Sequence, residues 1–425
     1  MKRFLQIITV ILACTAMHAQ KQLYIPQDLQ HMNLLNDTST WSYSRMHCTK
    51  NFAIMWQRGF GMSLADAPQL DGQPMTVDLH NLESRLEDYY TFFRDSLQFT
   101  RSGSKADKYR MLVMLNYTLE GTAYGGDYDG QIGALWVSPN RLQDKKLNCI
   151  AHELGHSFQS QITCDGEGEA WGGCGFFEMT SQWMLWQVNP NWISDEQYHF
   201  DAFTNSCHKA FLHLENIYHS PYVIECWGEK HGKPFIAELY RQGKRGEDPV
   251  MTYKRLTGMT QGEFCDEMFH NVSRMVNMDF PRAWRETRKY AGRFSTPLEA
   301  AARGWQRVDA KHCPEDYGFN IIKLSLPAAG ATAKVRFRGI ANAKGYNTGN
   351  KKGGWRYGLV GIGTNGHSIY GEMQSAPNGT ATLKTPKTNP LRELYLVVMG
   401  APASHNPGSD AQWPYEIKTG HIPGK

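Results

Sequence analysis

Along the chain, the apolar positions alternate between short unbroken runs, helical spacing and strand-like alternation. Phe52-Ala53-Ile54-Met55-Trp56 is continuously apolar and short, which predicts a strand buried on both faces. Leu79, Leu82, Leu86, Tyr90, Phe93 and Leu97 then recur at helical spacing and predict a helix over 79–97. Residues 109–117 read as a second strand with two apolar faces, and 133–138, stopped by Pro139, as a third. Between them, Gly125-Gly126-Asp127 reads as a turn. Helical periodicity returns over 144–161. A loop rich in Gly and acidic residues follows over 163–175, then a helix over 176–188 ended by Asn189-Pro190. Mostly helical segments continue to about residue 310. Beyond about residue 315 the pattern becomes short alternating strands separated by Gly, Thr and Asn, at 321–326, 333–338, 357–362, 368–373, 381–385 and 394–398. That pattern suits a β-sandwich. The expected fold class is α+β: a small sheet and helices in one domain, then an all-β sandwich domain.

A length of 425 residues is too great for one ordinary core. The expected organisation is a leader over 1–19, a domain over 20–315 and a C-terminal domain over 316–425. Lys2 and Arg3 precede an apolar stretch over 4–13, and Ala19 closes Met17-His18-Ala19. This reads as a signal peptide cleaved after Ala19, hence export to the periplasm or beyond the cell. The stretch is too short to span a bilayer, and no later segment has the length and apolarity to do so. Ile11-Leu12-Ala13-Cys14 leaves a surface lipoprotein anchored through Cys14 as an alternative. A formal charge of +4 gives no electrostatic case for nucleic acid or a membrane as partner. Aromatics at 12% suit broad packed faces or a peptide- or glycan-binding surface. Nine cysteines, less Cys14 in the leader, leave eight, an even number that allows disulfides in an exported chain. Cys164 and Cys174 flank one Gly-rich loop and are the best-placed local pair.

The chemistry concentrates in Cys149-Ile150-Ala151-His152-Glu153-Leu154-Gly155-His156-Ser157-Phe158-Gln159. On a helix, residues four apart sit about 40° from one another around the axis, so His152 and His156 project from one face. Two imidazoles so placed can bind one Zn²⁺, and Glu153 can reach a metal-bound water as general base without being a ligand. A third ligand is required. Glu178, on the next helix among Phe176, Phe177, Met179 and Trp183, is the best candidate, because a carboxylate in apolar company needs a partner or a metal. Asp165, Glu167 and Glu169 compete for the role from the intervening loop. His208, His213 and His219 do not share one helical face and read as surface or core-edge residues.

HELGHSFQ followed by GFFEMTSQ resembles the gluzincin type of zinc metallopeptidases, the thermolysin-like clan. Within it the chain is similar to secreted bacterial enhancin-like and mucin-degrading peptidases, and to an uncharacterised exported family with a β-sandwich tail. The resemblance implies His152, His156 and Glu178 as zinc ligands and Glu153 as base. It also implies that an edge strand before the metal helix binds the substrate, a role for which 133–138 is in the right order. A Tyr or His from a later helix would stabilise the oxyanion. Tyr222 is the choice, with Tyr218 and His219 as alternatives that spacing does not separate. The chain departs from the clan at Gln182, where an aspartate usually orients the first histidine; an amide polarises less strongly.

The expected activity is hydrolysis of peptide bonds in a protein, peptide or glycoprotein substrate, with glycans as a further partner of the C-terminal domain. Two other readings stand beside it. One is a glycan- or protein-binding surface module carrying an inert zinc domain. The other is a zinc hydrolase acting on a non-peptide bond.

Overall fold

The computed structural model describes residues 20–168, 171, 175–348 and 353–419. Residues 1–19, over which a leader is expected and which include Cys14, lie outside the described residues, as do Glu169 and Cys174. The chain forms two compact units, one ending at Glu167 and one beginning at Gly168. Among the described residues no helix is long and apolar enough to cross a membrane.

The first unit is built on a five-stranded sheet of β1 (Met46–Cys48), β2 (Phe52–Trp56), β3 (Met111–Leu115), β4 (Ala123–Tyr128) and β5 (Ile132–Val137), in the order β1-β2-β3-β5-β4. β2, β3 and β5 run parallel, and the two edges are antiparallel. Every residue of β2 and β3 is buried, as parallel strands covered on both faces must be. α1 (Leu79–Thr91) begins where the Asp78 side chain accepts from the Asn81 N–H, and it buries Leu82, Leu86, Tyr89 and Tyr90. The helical stretch expected to reach residue 97 finishes as a wider π turn over Phe92–Ser96.

Two sequence readings in this unit are corrected. Gly125-Gly126-Asp127 lies within strand β4, not in a turn. The edge strand is therefore β4, while β5 is interior between β3 and β4. The physical reason is how closely α2 (Asn148–Cys164) lies on the sheet. A Cβ on Gly125 would fall 1.9 Å from the Glu153 carbonyl oxygen, and one on Gly133 would fall 2.7 Å from that of Ser157. These glycines are there to let a helix backbone approach, not to bend the chain.

The second unit opens with helices: α3 (Phe176–Val188), α4 (Gln197–Ser206), α5 (Tyr222–His231), α6 (Pro234–Gln242), α7 (Pro249–Thr257) and α8 (Gln261–Ser273). α8 starts with a reciprocal capping box between Thr260 and Glu263. Strands follow from Leu298: β6 (Leu298–Ala300), β7 (Gln306–Val308), β8 (Phe319–Leu324), β9 (Thr332–Gly339), β10 (Gly353–Gly363), β11 (Ser368–Tyr370), β12 (Asn378–Lys384), β13 (Leu391–Pro402) and β14 (Tyr415–Thr419). They form two sheets, β11-β10-β13-β8 and β12-β9-β14-β7-β6, antiparallel throughout. Residues of both sheets meet in one core that includes Phe337, Trp355, Tyr357, Leu396, Trp413 and Tyr415. Its polar groups are paired: Trp355 Nε1–H donates to the Trp413 carbonyl (2.9 Å) and Tyr415 donates to Asn320 Oδ1 (2.9 Å).

Candidate metal centre

α2 is set in place before its histidines are reached. The Asp144 carboxylate accepts from the N–H groups of Lys146 (3.1 Å) and Asn148 (3.2 Å), and Leu147, at φ 52°, turns the chain into the helix. Residues 144–147, expected as the first helical turn, are thus its cap. On the sheet side, Ser157 Oγ donates to the Ala134 carbonyl (2.7 Å) and Gln161 Oε1 accepts from the Gly133 N–H (2.8 Å). Phe158 packs its ring between Tyr90 (5.3 Å) and Phe93 (5.5 Å). At about 100° per residue, His152 sits roughly 180° around the helix from Gln161, so pinning one face fixes the direction of the other.

His152 and His156 turn their Nε2 atoms toward each other at 3.1 Å, with ring planes 83° apart. A tetrahedral zinc with Zn–N bonds of about 2.05 Å sets two ligand nitrogens about 3.3 Å apart, so the pair already has the spacing of a shared cation. Ligand-capable atoms of His152, Glu153 and His156 all lie within 4.8 Å of one another. Among the described residues this is the group of His, Cys, Asp and Glu side chains with that property. Two imidazoles beside a carboxylate form a donor set suited to a borderline cation such as zinc.

Gln159, a residue the sequence reading did not single out, completes the arrangement. Its Oε1 lies 3.1 Å from His156 Nδ1, and its side chain is buried. An amide oxygen only accepts, so the proton sits on Nδ1 and the Nε2 lone pair is left for a metal. The i, i+3 spacing within the helix was the available signal.

Glu178 is the third residue of α3, half-buried in its first turn, with buried Phe176 and Met179 beside it. The helix is held by a buried carboxylate from α5. Glu225 accepts from Trp183 Nε1 (2.8 Å), Gln187 Nε2 (2.6 Å) and Arg282 Nε (2.7 Å). Gln182, one turn beyond Glu178, donates from Nε2 to the Tyr218 carbonyl (2.9 Å) and to His199 Nε2 (3.1 Å). His199 therefore carries its proton on Nδ1 and donates to His219 Nδ1 (2.8 Å). Burial, with His199 as neighbour, lowers the His219 pKa to about 4, so it stays neutral at physiological pH.

Tyr222 does not sit as the resemblance implies. It is fully buried, with its ring against Phe203 (5.0 Å), Trp186 (5.6 Å) and Phe280 (5.7 Å). Burial holds its phenol pKa well above the ordinary value. A hydroxyl walled into an aromatic core has no access to a substrate oxygen. Of the two alternatives, His219 is committed to His199, whereas Tyr218 is 43% exposed.

The fold is thus mixed α/β, with a His-Glu-His group on a helix laid against the sheet of the first unit. The chain belongs to a family of unknown function (DUF6055), matched over residues 15–421. No curated protein sequence matches it. Among solved structures, the ZmpB metallopeptidase from Clostridium perfringens overlays with 12% identity and a TM-score of 0.30, covering 67% of this chain and 61% of that one. The chain therefore spans less than two thirds of that enzyme. The catalytic module of the metalloprotease ZmpA from the same organism gives 10% and 0.32, covering 86% and 70%. A metallopeptidase from Bacteroides thetaiotaomicron gives 10% and 0.32, covering 88% and 65%. Overlays this loose do not establish a shared architecture.

Proposed function

We propose that the protein is an exported zinc-dependent metallopeptidase acting on a protein, peptide or glycoprotein. The observation that carries this reading is the pair of Nε2 atoms 3.1 Å apart with the Glu153 carboxylate beside them. His152, His156 and Glu178 would hold the zinc. The metal would supply a Lewis acid that polarises the attacking water and the scissile carbonyl. Glu153 takes the proton as the water oxygen bonds to the carbonyl carbon, and returns it to the amine nitrogen as the C–N bond breaks. Tyr218 replaces Tyr222 as the hydroxyl assigned to the oxyanion, because it is the exposed one. Metal analysis of the purified protein, paired with an unbiased peptide-library digest, tests the reading. One zinc per chain with cleaved peptides is expected; a chain without stoichiometric zinc would overturn it.

Gln159 gives a second, independent check. Gln159→Leu leaves the His156 tautomer unfixed and is expected to weaken zinc binding by about 10- to 100-fold, whereas Gln159→Glu retains it. Competition against a chromogenic chelator measures both, and equal affinity in wild type and Gln159→Leu would remove the role.

A further inference from the structure

The second unit contains a cavity of about 800 Å³ that the peptidase reading does not use. Four chain segments meet around it: 210–214 after α4, 245–248 between α6 and α7, 316–317 before β8, and 405–410 between β13 and β14. Its volume is in the range of small-ligand sites. Aromatic rings of Trp171, Phe211 and Tyr317 line it, each buried from bulk solvent.

The polar wall is a directed chain of hydrogen bonds. Gln261 Nε2–H donates to the Tyr317 hydroxyl (3.0 Å), and the Tyr317 O–H donates to His405 Nδ1 (3.1 Å). His405 Nε2–H then donates to Asp248 Oδ2 (2.6 Å). Every proton along this wall is spent, and the chain ends on a carboxylate that is nearly buried. Asp316, 4% exposed, adds a second carboxylate, and its Oδ1 accepts from Trp413 Nε1 (2.8 Å). Burial raises the Asp316 pKa, against the opposing pull of its Trp413 and Ser409 hydrogen bonds and of nearby His405. What the buried wall still offers a ligand is lone pairs. Asp410 also lines the cavity, as does Glu247, whose carboxylate is ion-paired with Arg255 (2.7 Å); Arg245 is the lining Lys or Arg. Tyr317 itself is held at φ +63°, a conformation costly for a bulky side chain, so the surrounding structure fixes it firmly in the wall.

We propose that this cavity binds a small organic cation, a primary amine or guanidinium compound, through Asp248 and Asp316 with Trp171, Phe211 and Tyr317 around it. Carboxylates supply acceptors and charge, and ring faces attract a cation through their quadrupoles. A neutral polyol matches the acceptors but not the excess of acids. An anion matches neither.

The test is calorimetric titration of the full chain with cadaverine, agmatine and glucosamine, and with 1,5-pentanediol and glucose as neutral counterparts. At least one amine is expected to bind at millimolar or lower concentration, with its neutral counterpart weaker by about tenfold or more. Asp316→Asn is expected to weaken the amine by about tenfold. Leu214→Trp, at a rim position 69% exposed and so harmless to folding, is expected to block the mouth and abolish binding. Three results would each overturn the proposal: no amine bound, a neutral counterpart bound as tightly, or unchanged binding in Leu214→Trp. Peptide hydrolysis is expected to be unaffected in Leu214→Trp, so failure here is separable from failure of the peptidase reading.

Discussion

Glu153→Gln is expected to keep its zinc and to lose peptide hydrolysis by about 10²- to 10⁴-fold or more. The substitution changes one oxygen for an amide nitrogen of nearly equal size. α2 is pinned through Ser157, Gln161 and Phe158, whose bonds to the Ala134 carbonyl and the Gly133 N–H and whose packing on Tyr90 do not involve the Glu153 carboxylate, so the helix and the two rings stay in position. What disappears is the ability to take a proton from water and hand it to the departing amine. Because Glu153 is proposed as base and not as ligand, metal content and turnover should separate. Elemental analysis gives the first and initial rates on any peptide from the library digest give the second. Zinc lost together with activity would make Glu153 a ligand. Turnover near wild type would leave the site without a base and remove the mechanism.

Parts of this architecture are legible in the sequence because one local rule decides them. The nearness of His152 to His156 follows from four residues of helix. The unbroken apolar runs at Phe52–Trp56 and Met111–Leu115 follow from strands covered on both faces. Other parts depend on partners far along the chain. A glycine marks a turn or a close backbone approach equally well, and at Gly125 only the Glu153 carbonyl, 1.9 Å from where a Cβ would be, decides for the second. Tyr222 has the residue type and order of an oxyanion donor, and only the packing of Phe203, Trp186 and Phe280 shows that it is walled in. The short strands β6 and β7 lie ahead of the compositional change near residue 315 and carry too few residues to show alternation, yet they complete the sheet that contains β14. The cavity wall joins Asp248, Gln261, Tyr317 and His405, the first and last of them 157 positions apart, with no pattern in common.

Glu225→Ala is expected to destabilise the second unit by about 3–5 kcal/mol. The carboxylate is 5% exposed and gathers three donors: Trp183 Nε1 and Gln187 Nε2 from α3, and the Arg282 guanidinium. Arg282 also lies over the Trp186 ring, 4.8 Å from its centroid. Truncation leaves that guanidinium beside an apolar face without its counter-charge, and leaves buried indole and amide N–H groups without an acceptor. Those desolvation costs, more than the lost ion pair, set the size of the effect. Glu225→Gln keeps the shape and one acceptor oxygen and should cost less. Denaturant midpoints measure both, and an alanine variant within about 1 kcal/mol of wild type would show that the network does not hold α3. The same pair of variants bears on the metal. Glu178 lies on α3 ahead of Trp183 and Gln187, the two residues of that helix that Glu225 anchors, so if Glu178 completes the zinc site, Glu225→Ala should weaken zinc binding under conditions where the chain is still folded. Unchanged zinc affinity in a folded Glu225→Ala protein would mean either that α3 keeps its position without the network or that the third ligand comes from elsewhere, and Glu178→Ala, read by the same competition assay, separates the two.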